Sequence, residues 1–177
     1  QIVTFYNAIA NNGKMMKPYI VESIEHEGRV TREFKPQILN GSICSKATAD
    51  TLTRALKMVT LEGTASRLKN AKCTVAGKTG TSRVHLDKEE QAGSGNPYAD
   101  IHGRKKHQAT FVGFFPADQP KYTAIVVVYT GLMSNNVYGG KIPALTFKDI
   151  VDGIWAYDST WGNEIKENGS IPQMKEE

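Results

Sequence analysis

Ala124-Ile125-Val126-Val127-Val128 is an unbroken apolar run in which four of the five side chains branch at Cβ, and few structures accept it. Branching narrows χ1 and suits a pleated surface, so a strand is expected over 122–130. Side chains alternate between the two faces of a strand, and neither face of this run is polar. Cover on both faces is therefore expected. A second strand over 108–115 precedes it, joined through residues 116–121, and a third is expected where Cys73-Thr74-Val75-Ala76 leads into Gly77 and Lys78.

Helices supply the cover. Ile2, Val3, Tyr6, Ile9 and Ala10 recur at helical spacing and stop at Asn12-Gly13. Ser45 can cap a helix whose Ala49, Leu52, Leu56 and Val59 share a face, with Gly63 ending it. Pro143 opens a last helix in which Leu145, Ile150, Ile154 and Trp155 are expected to face the sheet. Residues 19–25 and 29–34 flank Glu27-Gly28 and read as a surface hairpin, and the polar stretch 87–106 as a mobile loop. The fold class is α+β, an antiparallel sheet of at least three strands flanked by helices.

The 177 residues suit one domain, and 40% hydrophobic content allows a core. Net charge is only +4. Its one dense basic run, Arg104-Lys105-Lys106-His107, lacks interleaved aromatics and reads as a solvated loop, not a nucleic-acid surface. No apolar stretch approaches the length that spans a bilayer. Cys44 and Cys73 are too few and too far apart for a metal framework and are expected as free thiols, Cys73 as a small buried side chain. No cofactor or metal is implied.

The chemistry gathers at Lys78-Thr79-Gly80-Thr81, which continues the third strand. An ammonium, two hydroxyls and a residue without Cβ suit a carboxylate: the cation holds the anion, the hydroxyls orient it, and Gly80 admits a ligand backbone against the strand. Period two would place Lys78, Gly80 and Ser82 on one face and Thr79 and Thr81 on the other. Gly77-Lys78-Thr79 also looks like the end of a phosphate-binding loop. That motif needs its first glycine at position 72, where this chain has Lys72, and a flexible loop where Cys73 to Ala76 is strand-like.

Lys-Thr-Gly accompanies Ser-x-x-Lys and Ser-Asp-Asn in penicillin-binding proteins and class A β-lactamases. Gln1 to Pro18, Glu62-Gly63-Thr64-Ala65, Val75 to Thr81, Ala109 to Pro116, Pro120-Lys121-Tyr122 and Tyr138-Gly139-Gly140 stand in the order seen in class B penicillin-binding proteins. Over residues 1–157 the chain resembles the C-terminal part of their transpeptidase domain, with 158–177 as a polar tail. The resemblance implies a serine-type D-Ala-D-Ala transpeptidase that cross-links peptidoglycan stem peptides and is acylated by β-lactams. By the same resemblance Lys78 holds the donor carboxylate and supports proton movement, Thr79 and Thr81 bond the carboxylate, and the Thr81 N–H is half of an oxyanion hole. The parent would work on the extracytoplasmic side of the membrane, its anchor outside this chain, beside other cell-wall synthesis proteins.

The nucleophile motif departs from the family. Ser66-Arg67-Leu68-Lys69 fits Ser-x-x-Lys literally but ends nine residues before Lys78, and Ser134-Asn135-Asn136 follows Lys78 where a Ser-x-Asn should precede it. Both read as decoys, the first on the surface and the second as turn residues. The chain is thus expected to be a fragment, inactive alone, that pairs with a missing N-terminal half of the same domain. A β-lactamase or β-lactam-sensor fragment shares the Lys-Thr-Gly, and a non-catalytic scaffolding module would make Lys78 to Thr81 a plain strand.

Overall fold

The computed structural model describes residues 1–134 and 137–158. Helix α1 (Ile2–Ala10) ends where Asn12 and Gly13 both take positive φ, 53° and 89°. A side chain at Gly13 would run into the Cys44 carbonyl, so glycine is required there by contact as well as by φ. Short strands β1 (Met15–Met16) and β4 (Ile38–Asn40) pair antiparallel, and β2 (Ser23–His26) with β3 (Arg29–Glu33) forms the expected hairpin. Helix α2 (Lys46–Leu61) starts at Ser45, whose Oγ accepts from the Thr48 N–H at 3.1 Å.

The main sheet has the order β5 (Ala76–Arg83), β6 (His107–Phe115), β7 (Tyr122–Tyr129), all antiparallel. Helix α4 (Ile142–Tyr157) lies on one face. Its Ala144, Phe147 and Val151 are fully buried and pack on Phe111 and Phe115 of β6, with Val126, Ala124 and Tyr122 of β7 beside them. The opposite face takes α1, where Ile9 meets Ala76, Phe114 and Ala117. The architecture is α+β with a helix layer on each side of an antiparallel sheet, as the sequence implied.

Three expectations need correction. The strand covered on both faces is β6, buried along most of its length, not β7; Val127 is 40% and Tyr129 68% exposed. Apolarity does not say which strand stands in the middle. Nine-residue α1 reaches only the Tyr122 end of β7, where the Asn7 Nδ2 donates to Thr123 Oγ1 at 3.4 Å. On α4 the inward stripe is Ala144, Phe147, Val151, Ile154 and Trp155, while Leu145 and Ile150 are exposed.

The stretch 87–106 is cross-bonded internally, not a bare loop. It holds helix α3 (Lys88–Gln91), capped by the Asp87 carboxylate accepting from the Glu90 N–H at 2.8 Å. The buried Asp100 carboxylate accepts from the N–H groups of His102 and Arg104 and from Arg104 Nε. Lys106 pairs with Glu90, so half of the basic run is committed to this stretch. Cys44 and Cys73 are free, and burial, then the charge of Asp152, pushes the Cys73 thiol up to about 12. A thiol held protonated so firmly is a packing group and a poor nucleophile.

Candidate active site

The lead-in to β5 is anchored from α2. Buried Thr60 donates its hydroxyl proton to the Val75 carbonyl at 2.6 Å, fixing the strand against the last turn of the helix. Val75 and Ala76 are buried, and the chain emerges to solvent at Lys78. Gly77 is the point of exit: a Cβ there would stand 2.5 Å from the Phe111 ring and 2.6 Å from the Val112 carbonyl. The ring of Phe111, wedged under α4, therefore requires glycine just before the lysine.

Strand β5 is an edge strand among the described residues, and its register with β6 is unbroken from Ala76↔Phe114 to Arg83↔His107. Just beyond that register the Val84 N–H donates to the Lys106 carbonyl at 3.0 Å. Main-chain groups alternate in an antiparallel ladder, so the even-numbered residues of β5 bond inward to β6. Thr79, Thr81 and Arg83 turn their N–H and C=O to the open edge.

The side chains follow the expected alternation with one addition. Thr79 and Thr81 lie on the α4 face, where the Thr79 Oγ1 is 2.8 Å from Thr64 Oγ1 and the Thr81 Oγ1 accepts from the Gly139 N–H at 3.3 Å. Lys78 starts from the other face, but its Nζ bends round the edge to the Thr79 carbonyl at 3.0 Å, with Thr79 Oγ1 at 3.4 Å. The ammonium and the Thr79 hydroxyl thus meet beside the open edge of β5, with the Thr81 hydroxyl two residues along on the same face as Thr79. Such a set, with outward N–H groups beside it, can hold a carboxylate and donate to a neighbouring oxyanion.

Two segments whose contribution was not legible brace this edge. Thr64 sits in the turn after α2, and the Gly139-Gly140 turn precedes α4. A Cβ on Gly140 would overlap the Thr64 carbonyl, and one on Gly139 would overlap the Thr110 carbonyl and stand 2.8 Å from the Gly80 carbonyl. The two glycines let the turn lie flat on β5. In the sequence, Glu62-Gly63-Thr64-Ala65 and Tyr138-Gly139-Gly140 stand out only as blocks of the family resemblance; the contacts arise between segments far apart in the chain.

Ser66 and Lys69 fall in a 3-10 turn, Ser66–Asn70, whose buried residue is Leu68. Lys69 borders a small cavity with Thr60, Lys72 and Cys73, which none of Lys78, Thr79, Gly80 and Thr81 lines. The Ser134 N–H donates to the Gly131 carbonyl at 3.2 Å, a turn as expected; Asn135 and Asn136 lie outside the described residues, as does the tail beyond Asp158. No helix among the described residues is long and apolar enough to cross a membrane.

Strand β5 therefore presents a cation and two hydroxyls beside an edge braced by two turns, on an α+β scaffold. The family model described as penicillin binding protein transpeptidase domain matches residues 1–152, and the chain belongs to that family. Penicillin-binding protein H of Bacillus subtilis is 31% identical over 134 residues, which are 72% of this chain and 18% of that protein. The D,D-transpeptidase domain of a peptidoglycan glycosyltransferase from Eggerthella lenta superposes with a TM-score of 0.64 at 23% identity, covering 88% of this chain and 31% of that one. Penicillin-binding protein A of Mycobacterium tuberculosis, solved as a ceftriaxone acyl-enzyme, gives a TM-score of 0.62 at 22% identity over 87% of this chain and 31% of that one. The chain spans about a fifth of the curated relative's length.

Proposed function

We propose that residues 1–157 are the C-terminal part of a peptidoglycan D,D-transpeptidase domain and that the Lys78 to Thr81 edge is its donor-peptide and β-lactam site. The observation that carries this is the convergence of Lys78 Nζ, Thr79 Oγ1 and the outward main-chain groups of Thr79 and Thr81 on one open strand edge. In this reading a stem peptide, or a β-lactam in its place, lies along the edge as an added strand. Lys78 neutralises its carboxylate and assists proton movement, and the Thr79 and Thr81 hydroxyls donate to the carboxylate. Gly80 leaves the approach clear.

Acyl transfer in this family's chemistry passes through a covalent acyl-enzyme, in which a serine oxygen attacks the carbonyl and expels the terminal D-Ala amine or opens the lactam ring. The serine and its lysine come from outside this chain, and so does half of the oxyanion hole; the Thr81 N–H supplies the other half. The parent works outside the cytoplasmic membrane, where its substrate is. Ser66 and Lys69 take no part, because Lys69 faces the Cys73 cavity and not the β5 edge.

Stopped-flow acylation of the full-length parent by a β-lactam tests this. Losing one charge-assisted hydrogen bond costs about 1.5–3 kcal/mol, so Lys78→Ala should slow acylation roughly ten- to over a hundredfold, while Lys69→Ala should change it little. Equal rates for wild type and the Lys78 variant would reduce the motif to an ordinary strand end and favour a scaffolding module.

A further inference from the structure

We infer that Thr64 is a positioning residue for carboxylate recognition, acting through Thr79; this rests on the reading of β5 as the carboxylate-binding edge. Thr64 is 15 residues before Thr79 and reaches it only because the turn after α2 folds over the α4 face of β5. Its backbone is fixed by the Gly139-Gly140 turn, which lies so close that a Cβ at Gly140 would overlap the Thr64 carbonyl. Its hydroxyl is therefore delivered to Thr79 by a braced main chain and not by a freely moving loop.

The hydroxyl of Thr79 has one proton and two lone pairs. Lys78 Nζ, a donor only, approaches one lone pair at 3.4 Å, and Thr64 Oγ1 stands at 2.8 Å, where either oxygen can be the donor. With no anion at the edge, Thr79 can give its proton to Thr64. When a carboxylate arrives, Thr64 turns its own proton onto Thr79, both lone pairs of Thr79 Oγ1 are then engaged, and its proton is left for the anion. Accepting two hydrogen bonds also polarises that O–H and strengthens what it donates. Thr64 thus sets the direction and donor strength of the Thr79 hydroxyl without touching the ligand.

Valine keeps the shape of threonine and removes only the hydroxyl, so Thr64→Val in the full-length parent isolates this effect, and Thr64→Ser restores the hydroxyl. The probes are benzylpenicillin and its methyl ester, which lacks the anionic carboxylate. Acylation efficiency with benzylpenicillin should fall about three- to tenfold in Thr64→Val, the range expected for one neutral hydrogen bond, with the ester almost unaffected and Thr64→Ser close to wild type. A loss of equal size with acid and ester, no loss with either, or no recovery with serine would overturn the inference. Lys78→Ala run alongside separates the two readings: if it loses acid-over-ester preference while Thr64→Val does not, the site stands and the role of Thr64 falls; if neither loses it, the site itself falls.

Discussion

At Gly80 a Cβ would meet nothing nearer than Thr110 Cβ at 3.7 Å, an ordinary contact, so packing inside the protein does not ask for glycine there. At Gly77 it does, because of the Phe111 ring. Of the two glycines flanking Lys78 and Thr79, the fold demands only Gly77; in the proposed reading Gly80 serves what lies against the strand. Gly80→Ala should leave Tm unchanged or slightly raised, since alanine is less costly than glycine in a strand, while acylation of the parent by β-lactams falls at least severalfold. A lowered Tm with unchanged acylation would place the need for Gly80 inside the protein. Lys78, Thr79, Gly80 and Thr81 were legible because they are contiguous and their period is that of a strand. Thr64 as a partner of Thr79 was not, because no local pattern reports a hydroxyl pair made across a turn and a strand.

Between elements, side chains and glycines decide how helices sit on the sheet. The start of helix α2 and the end of helix α1 were legible from cap and turn residues, since Ser45 and Gly13 act within a few residues of themselves. The inward stripe of α4 was not: Leu145 and Ile150 are as apolar as Val151, and only the position of Phe111 and Phe115 beneath the helix selects Ala144, Phe147 and Val151. The contrast between Gly140 and Gly153 makes this testable. Gly140→Ala drives a Cβ into the Thr64 carbonyl and should destabilise by about 1–3 kcal/mol, lowering Tm by at least about 2 °C. Gly153, inside α4 with nothing within 4 Å of a Cβ, should gain roughly 0.8–1.0 kcal/mol as alanine and raise Tm. Changes of the same sign at both would contradict the close approach of the Gly139-Gly140 turn.

Asp152 joins α4 to the segment leading into β5, accepting from the Lys72 N–H at 2.8 Å and from Lys148 Nζ at 2.5 Å. Burial alone would raise its pKa, but the hydrogen bonds from Lys148 and Lys72 and their charges outweigh it and hold the carboxyl below its usual value. A carboxyl depressed in the folded state stabilises fully above its unfolded pKa of about 3.9, and that contribution is lost as pH falls through the lower folded value. The Tm difference between wild type and Asp152→Asn should therefore be constant from about pH 7 to 5 and close below about pH 4. A difference that does not change with pH would show that the carboxylate is not what ties these elements together.

At the scale of the whole molecule, an antiparallel sheet of at least three strands covered by helices was legible as a class, while the strand order, and with it the identity of the central strand, was not. β6 and β7 are both strongly apolar, and being in the middle is a property of the assembly. What the molecule presents outward is an open β5 edge bearing the Lys78 to Thr81 set and a β7 with Val127 and Tyr129 exposed. If the chain is part of a domain whose nucleophile lies elsewhere, the set on β5 lacks the serine and its lysine base that open a lactam, and its threonine hydroxyls serve only to hold the carboxylate. Incubated alone with a fluorescent penicillin and weighed intact, residues 1–177 should carry no covalent adduct. Ser66 is the only serine of this chain followed at three residues by a lysine, and it stands on the 3-10 turn whose Lys69 faces away to the Cys73 cavity. A stoichiometric adduct on Ser66 would mean that this turn, and not a segment outside the chain, meets the β5 edge, and the division of the catalytic groups proposed here would be wrong.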